Sequence, residues 1–168
     1  MLQALHVHNF ALIEDAKVEF TGGFNVFTGE TGAGKSILIY AFSIALGARA
    51  SADYVRSCTC AFTVQAFVDI DTCPAARQLL AEQVIDYEDG LFLRRRITAS
   101  GKSQSTVNGV QVPLAVLRSF AAVLVDIHGQ HENQALLKAG FPQQLTDLYG
   151  QSLIMPVLNE YSRAFDNY

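Results

Sequence analysis

The chain has 168 residues, half of them apolar, enough for one domain with a real core, and no apolar run approaches the ~20 residues of a membrane span. Its net charge of −4 excludes a general polyanion binder, so any nucleic-acid contact must come from a local patch. Asn9, Glu14, Asp15 and Lys17 break up the apolar N-terminus that a signal peptide would need, and an odd set of three cysteines, Cys58, Cys60 and Cys73, fits a reducing cytoplasm, with neither the two-residue gap nor the second ligand pair of a zinc site.

In chain order, Leu2 to Val7 reads as a strand with Leu5 and Val7 on one face and His6 and His8 on the other. Asn9-Phe10 turns the chain into a return strand over Ala16 to Phe20, ended by Thr21-Gly22-Gly23. Phe24 to Thr28 is a short, β-prone apolar run. Directly behind it, Gly29-Glu30-Thr31-Gly32-Ala33-Gly34-Lys35-Ser36 fills G-x-x-x-x-G-K-[ST] without mismatch. Leu38, Ala41, Phe42, Ala45 and Leu46 then recur at the i, i+3, i+4 spacing of a helical stripe. Residues 47–53 form a small-residue loop, Ala61 to Ile70 a strand and Pro74 to Gln83 a short helix. Leu91 to Ile97 and Gln104 to Val107 read as strands, with Asn108-Gly109 as a type I′ turn before Val110 to Val112. Pro113 to Phe120 reads as a helix, and the β-branched run Ala121 to Ile127 as a buried central strand. A polar segment, His128 to Gln134, follows, and Pro142 opens a helix that Gly150 closes. Ile154, Leu158, Tyr161, Phe165 and Tyr168 step by 4, 3, 4 and 3, the spacing of a coiled-coil seam and equally of an ordinary amphipathic helix.

Strand, glycine loop and helix together point to a phosphate site. Glycines let successive N–H groups turn inward onto phosphate oxygens, and a helix N-terminus faces the anion behind them. The amides of Thr31, Gly32, Ala33 and Gly34 form the cradle. Lys35 adds a mobile positive charge, and the Ser36 hydroxyl is placed to ligate Mg²⁺. Glu30, like-charged with the ligand, reads as support for the loop. No Asn-Lys-x-Asp string is present to read guanine, which favours ATP as the nucleotide.

These elements, in this order, resemble the N-terminal part of an SMC-like, ABC-type ATPase head, most closely the RecN family of bacterial DNA recombination and repair proteins. The resemblance is carried by Leu5 to Ile13, by Thr28 to Ser36, by Arg94 to Ile97, Ser100 to Ser103 and Val107 to Gly109, and above all by Ile127-His128-Gly129-Gln130-His131-Glu132-Asn133-Gln134. It implies an α/β P-loop fold: a first lobe over residues 1–150 with a mixed central sheet and an antiparallel β-subdomain, and the start of a coiled-coil helix over 151–168. It also implies that two heads enclose two ATP molecules with Mg²⁺, that the partner is a second head, that DNA is bound, and that the protein acts in the bacterial cytoplasm in repair of double-strand breaks. Another SMC-like head, or a P-loop module that binds without hydrolysis, is the alternative.

By the same resemblance Gln130 stands for the glutamine that reaches Mg²⁺ and the attacking water, with Gln134 as its rival. Arg49 matches an arginine near the nucleotide or DNA, although a cation at a helix end is also favoured by the dipole alone. Asn9 either reaches toward the nucleotide or caps its turn. Ile37 stands where other ABC proteins carry a second hydroxyl, so one α-phosphate contact is missing. His128 and His131 read as loop hydrogen-bonders. Arg94, Arg95, Arg96 and Lys102 put four positive charges in nine residues, either a DNA phosphate contact or a solvated hairpin face. No leucine-serine-glycine-glycine signature occurs. Val123-Leu124-Val125-Asp126 is followed by Ile127 where the water-polarising glutamate would stand, so Asp126 reads as the end of a strand.

Overall fold

The structure is a computed structural model that describes residues 1–28, 33–125, 146–147 and 149–166. It divides into two compact units, Met1–Val125 and Asp126–Tyr168.

The first unit is built on six strands: β1 (Leu2–Phe10), β2 (Ile13–Glu19), β3 (Ala61–Val68), β4 (Leu91–Thr98), β5 (Ser103–Val107) and β6 (Val110–Gln111). They form one sheet in the order β2-β1-β3-β4-β5-β6, every pairing antiparallel, so β2 and β6 are its edges. Period-two alternation explains which face is covered. Along β3, Phe62, Val64, Ala66 and Val68 are buried, and along β4 Leu91, Leu93, Arg95 and Ile97, while Phe92, Arg94 and Arg96 point outward. Register lines these up: Val7 faces Val64, Val64 faces Arg95, and Arg95 faces Ser105.

Helix α1 (Ala33–Ala45) packs on β1, β3 and β4 through Ala41, Ile44 and Ala45. The Phe10 ring, fully buried, stacks on Tyr54 at 5.2 Å and meets Phe62 edge-on at 4.8 Å. Burying such a side chain contributes about 1.5–3 kcal/mol. Farther along the sheet, α2 (Pro74–Glu82) packs against α3 (Leu114–Leu124), which also meets β5, and Leu80, Leu117 and Phe120 are fully buried.

Three expectations are corrected. Phe24 to Thr28 pairs with no strand among the described residues, and Phe24 and Val26 are exposed; the Asn25 side chain instead folds back, accepting from the Thr21 N–H at 3.2 Å and donating to its carbonyl at 2.9 Å. The first four residues of the expected strand Ala121 to Ile127 are the last turn of α3. Its stripe Leu114, Leu117, Phe120 and Leu124 keeps a helical period, and Val125 turns extended. The two segments meant for a mixed central sheet thus supply no strand among the described residues. Finally, β1 runs on through Asn9 and Phe10, and the turn is Ala11-Leu12, with Asn9 at φ +55° and Ala11 at φ +50°.

In the second unit, α4 (Gln151–Asp166) carries Ile154, Leu158, Tyr161 and Phe165 of the expected stripe, and Tyr168 lies outside the described residues. Ile154 is half-buried, whereas Leu158, Tyr161 and Phe165 are exposed, the last two stacked at 6.2 Å between ring centroids.

Candidate functional site: the first turn of α1

Residues Ala33 to Ser36 open α1, so the lysine and serine of the glycine-rich motif lie on the first turn of a 13-residue helix with no acidic side chain there to compete for an anion. Lys35 is half-buried and Ser36 exposed. Both line a cavity of about 400 Å³ whose other walls include Leu5, Phe20, Phe27 and Phe42. Apolar walls beside a cation keep its field from being screened and direct it at an incoming anion. Among the described residues nothing lies within 4 Å of where a Gly34 Cβ would be. Ile37 turns its side chain onto the core cluster, which leaves only its main chain toward a ligand. Gly29, Glu30, Thr31 and Gly32 lie outside the described residues. So do Asp126, His128, Gln130, His131 and Gln134.

The other candidates sit apart from that turn in sequence and are placed as follows. Asn9 is half-buried, and its carbonyl accepts from the Arg56 N–H at 3.1 Å. Arg49 is exposed on the loop after α1, where the Tyr40 hydroxyl donates to its carbonyl at 3.1 Å. Burial, aided by Tyr54, raises the Tyr40 hydroxyl above its ordinary value, so it remains a donor at neutral pH. Arg94 and Arg96 share the outer face of the sheet and line a cavity of about 250 Å³ with Gln104 and Thr106. Lys102 is exposed in the β4–β5 turn.

Arg95 does not belong to that basic patch. Alternation along β4 turns it inward, where it is 2% exposed, with one terminal nitrogen on Ser103 Oγ at 2.9 Å and the other on the Ala48 carbonyl at 3.4 Å. Two features were not read from sequence. One is Arg118, whose Nε donates to the Gly47 carbonyl at 2.9 Å and which gave no signal beyond a cation on an apolar helix. The other is Asp15, whose Oδ1 lies 2.6 Å from His6 Nε2 and 3.4 Å from His8 Nδ1. The alternation that put both imidazoles on one face of β1 pointed to such a neighbour.

The AAA domain family model matches residues 4–109, well over half of the chain. The chain belongs to the AAA domain family. The chain is 39% identical over its whole length to the DNA repair protein RecN of Bacillus subtilis, and 37% identical over 89% of its length to that of Vibrio cholerae. The likeness is to the N-terminal region of RecN, and the chain spans only 29% and 27% of those two relatives. Among solved structures, its fold is similar to an SMC head domain of Pyrococcus furiosus with an extended coiled coil, at TM-score 0.66 and 19% identity, over 99% of this chain and 47% of that one. A second is a structure from work on ATP-driven dimerization and DNA-stimulated activation of SMC ATPases. It has a TM-score of 0.62 and 19% identity, over 86% of this chain and 95% of that one. The AAA domain therefore has the SMC-head fold and is a homologue of ATPase domains, as the motif order from Leu5 to Gln134 implied.

Proposed function

We propose that this chain is the nucleotide-holding first lobe of a RecN-like ATPase that acts in recombinational repair of DNA double-strand breaks. The observation that carries the proposal is the placement of Lys35 and Ser36 on the first turn of α1, beside an open cavity and at the positive end of the helix dipole. The main-chain amides of Thr31, Gly32, Ala33 and Gly34 would cradle the β- and γ-phosphates of ATP, and Lys35 would neutralise their charge. Phosphoryl transfer depends on such placement more than on covalent chemistry.

A single hydroxyl at Ser36, exposed at the cavity, suits Mg²⁺, which keeps several waters and takes few protein ligands. An ion held there by Ser36 would supply positive charge against the phosphates. Gln130 would complete that shell. Residues 1–150 form the lobe and 151–168 the start of the coiled-coil helix, with a second head as partner and the bacterial cytoplasm as the compartment. DNA would meet the outer face through Arg94, Arg96 and Lys102. The chain alone binds nucleotide weakly and turns over almost none, because it has no leucine-serine-glycine-glycine string and no Asp-Glu pair closing an apolar run.

The test is a titration of labelled ATP with Mg²⁺ against wild type and Lys35→Ala, with GTP as competitor. The expected result is loss of at least about tenfold in affinity for Lys35→Ala, the scale of a charge-assisted contact to phosphate. Equal binding by the two proteins would remove the reading.

A further inference from the structure

Three side chains from three elements donate to three consecutive main-chain carbonyls just past the end of α1. Arg118 of α3 holds Gly47 at 2.9 Å, Arg95 of β4 holds Ala48 at 3.4 Å, and Tyr40 of α1 holds Arg49 at 3.1 Å. The main-chain N–H groups there are already used: Leu46, Gly47 and Ala48 donate back to Phe42, Ile44 and Ser43. All three carbonyls of residues 47–49, and the N–H groups of Gly47 and Ala48, are therefore engaged, which is unusual for a loop that leaves a helix.

The charges around it are also one-sided. Arg95 and Arg118 meet no carboxylate among the described residues, and Arg95 Nε has no partner there. Their counter-charge is the negative end of the α1 dipole and the carbonyls themselves. Burial, with the nearby charge of Arg118, holds the Arg95 guanidinium below its ordinary range, the mark of a cation kept in a dry site. Gly47 adopts φ +96°, and a Cβ there would stand 2.8 Å from Arg118 Cγ, so the crossing of Arg118 over the loop depends on glycine. At the end of this pinned stretch Arg49 is exposed and makes no hydrogen bond or ion pair from its side chain to the described residues.

We infer that Arg95, Arg118 and Tyr40 are positioning residues that fix the backbone of Arg49 so that its guanidinium is presented as a preset cation to a phosphate group. The inference rests on the phosphate-binding reading above. A loop ordered before binding loses less entropy when it binds, and a guanidinium suits phosphate because it can donate two parallel hydrogen bonds. The phosphate belongs either to a nucleotide or to a nucleic-acid backbone, and the two sources separate in the test.

In the full chain, affinity for magnesium ATP is measured by displacement of a fluorescent analogue, and affinity for a short DNA duplex at low salt by anisotropy. The proteins are wild type, Arg49→Ala, Arg118→Met and the double variant, each with its thermal midpoint. Arg49→Ala is expected to weaken one of the two ligands about tenfold, which identifies the source of the phosphate. Arg118→Met is expected to weaken that same ligand about threefold and to add nothing in the Arg49→Ala background, the signature of residues acting as a unit. Tyr40→Phe removes a single hydroxyl and repeats the pattern if Arg118→Met does not fold. A loss that persists undiminished in the Arg49→Ala background overturns the inference, since it is then structural. So do clamp variants that bind like wild type, or an Arg49→Ala that binds both ligands normally. If Lys35→Ala binds ATP as wild type does, the nucleotide reading fails separately and the duplex arm still tests the clamp. A wild type that binds neither ligand removes both.

Discussion

Asp15 lies on the outer face of the sheet between two imidazoles, opposite His8 in register and diagonal to His6. The hydrogen bond from His6 lowers its carboxyl below the ordinary value of 3.8, with a smaller contribution from His8. A carboxyl whose pKa is depressed on folding contributes stability that is present above its unfolded value and lost as pH falls through the folded one. The difference in thermal midpoint between wild type and Asp15→Asn is therefore expected to be present at pH 5 and to vanish in acid well below 3.8. The effect is small, because the carboxylate is exposed and screened by solvent. A difference that grows on acidification would contradict the assignment. The same alternation decides the fate of the arginine run. In sequence, Arg94-Arg95-Arg96 reads as one basic patch when charges are counted, although a strand's alternation already sets Arg94 and Arg96 on one face. The inward position of Arg95 follows from the phase of Leu91, Leu93 and Ile97 around it, which the sequence displays but which a count of charges ignores.

Among the elements, the β5–β6 hairpin was legible from two residues. Asn108 and Gly109 take φ +47° and +81°, the pair of positive angles that a type I′ turn requires. The Asn108 side chain does more than tolerate the turn. Its oxygen accepts from the Phe92 N–H at 2.8 Å and its nitrogen donates to the Asp86 carbonyl at 2.9 Å, tying the hairpin to the segment before β4. That segment ends at Gly90, φ +143°, where an added Cβ would stand 2.8 Å from the Val68 carbonyl oxygen and 2.9 Å from the Phe67 ring. Gly90→Ala is expected to cost about 1–3 kcal/mol from strain at a glycine conformation, read as a lower urea midpoint with an unchanged slope. The stretches that were misread, Phe24 to Thr28 and Ala121 to Leu124, are short and largely apolar. Such runs do not distinguish strand from helix, and the deciding contacts lie outside the segment. For Ala121 to Leu124 the deciding neighbour is in fact the preceding turn of α3, whose period simply continues.

For the molecule as a whole, a net charge of −4 coexists with an outer face on which Arg94 and Arg96 make no ion pair among the described residues. If that face contacts DNA phosphates, Arg96→Ala is expected to weaken binding to all sequences alike and to flatten the log–log salt dependence by about 0.9 for each phosphate no longer neutralised. An unchanged slope would place the nucleic acid elsewhere. The family was legible because its motifs are short, local and ordered along the chain. The clamp on residues 47–49 was not, because it joins positions 40, 95 and 118, which only the fold brings together. The margins of the sheet carry one more consequence. One is β2, with Glu14, Asp15, Lys17 and Glu19 among seven residues, and the other is β6, two residues long. A strand arriving from another copy would meet dense ionic side chains on one flank and almost no ladder on the other, so the sheet caps its own growth and resists fibril-like stacking.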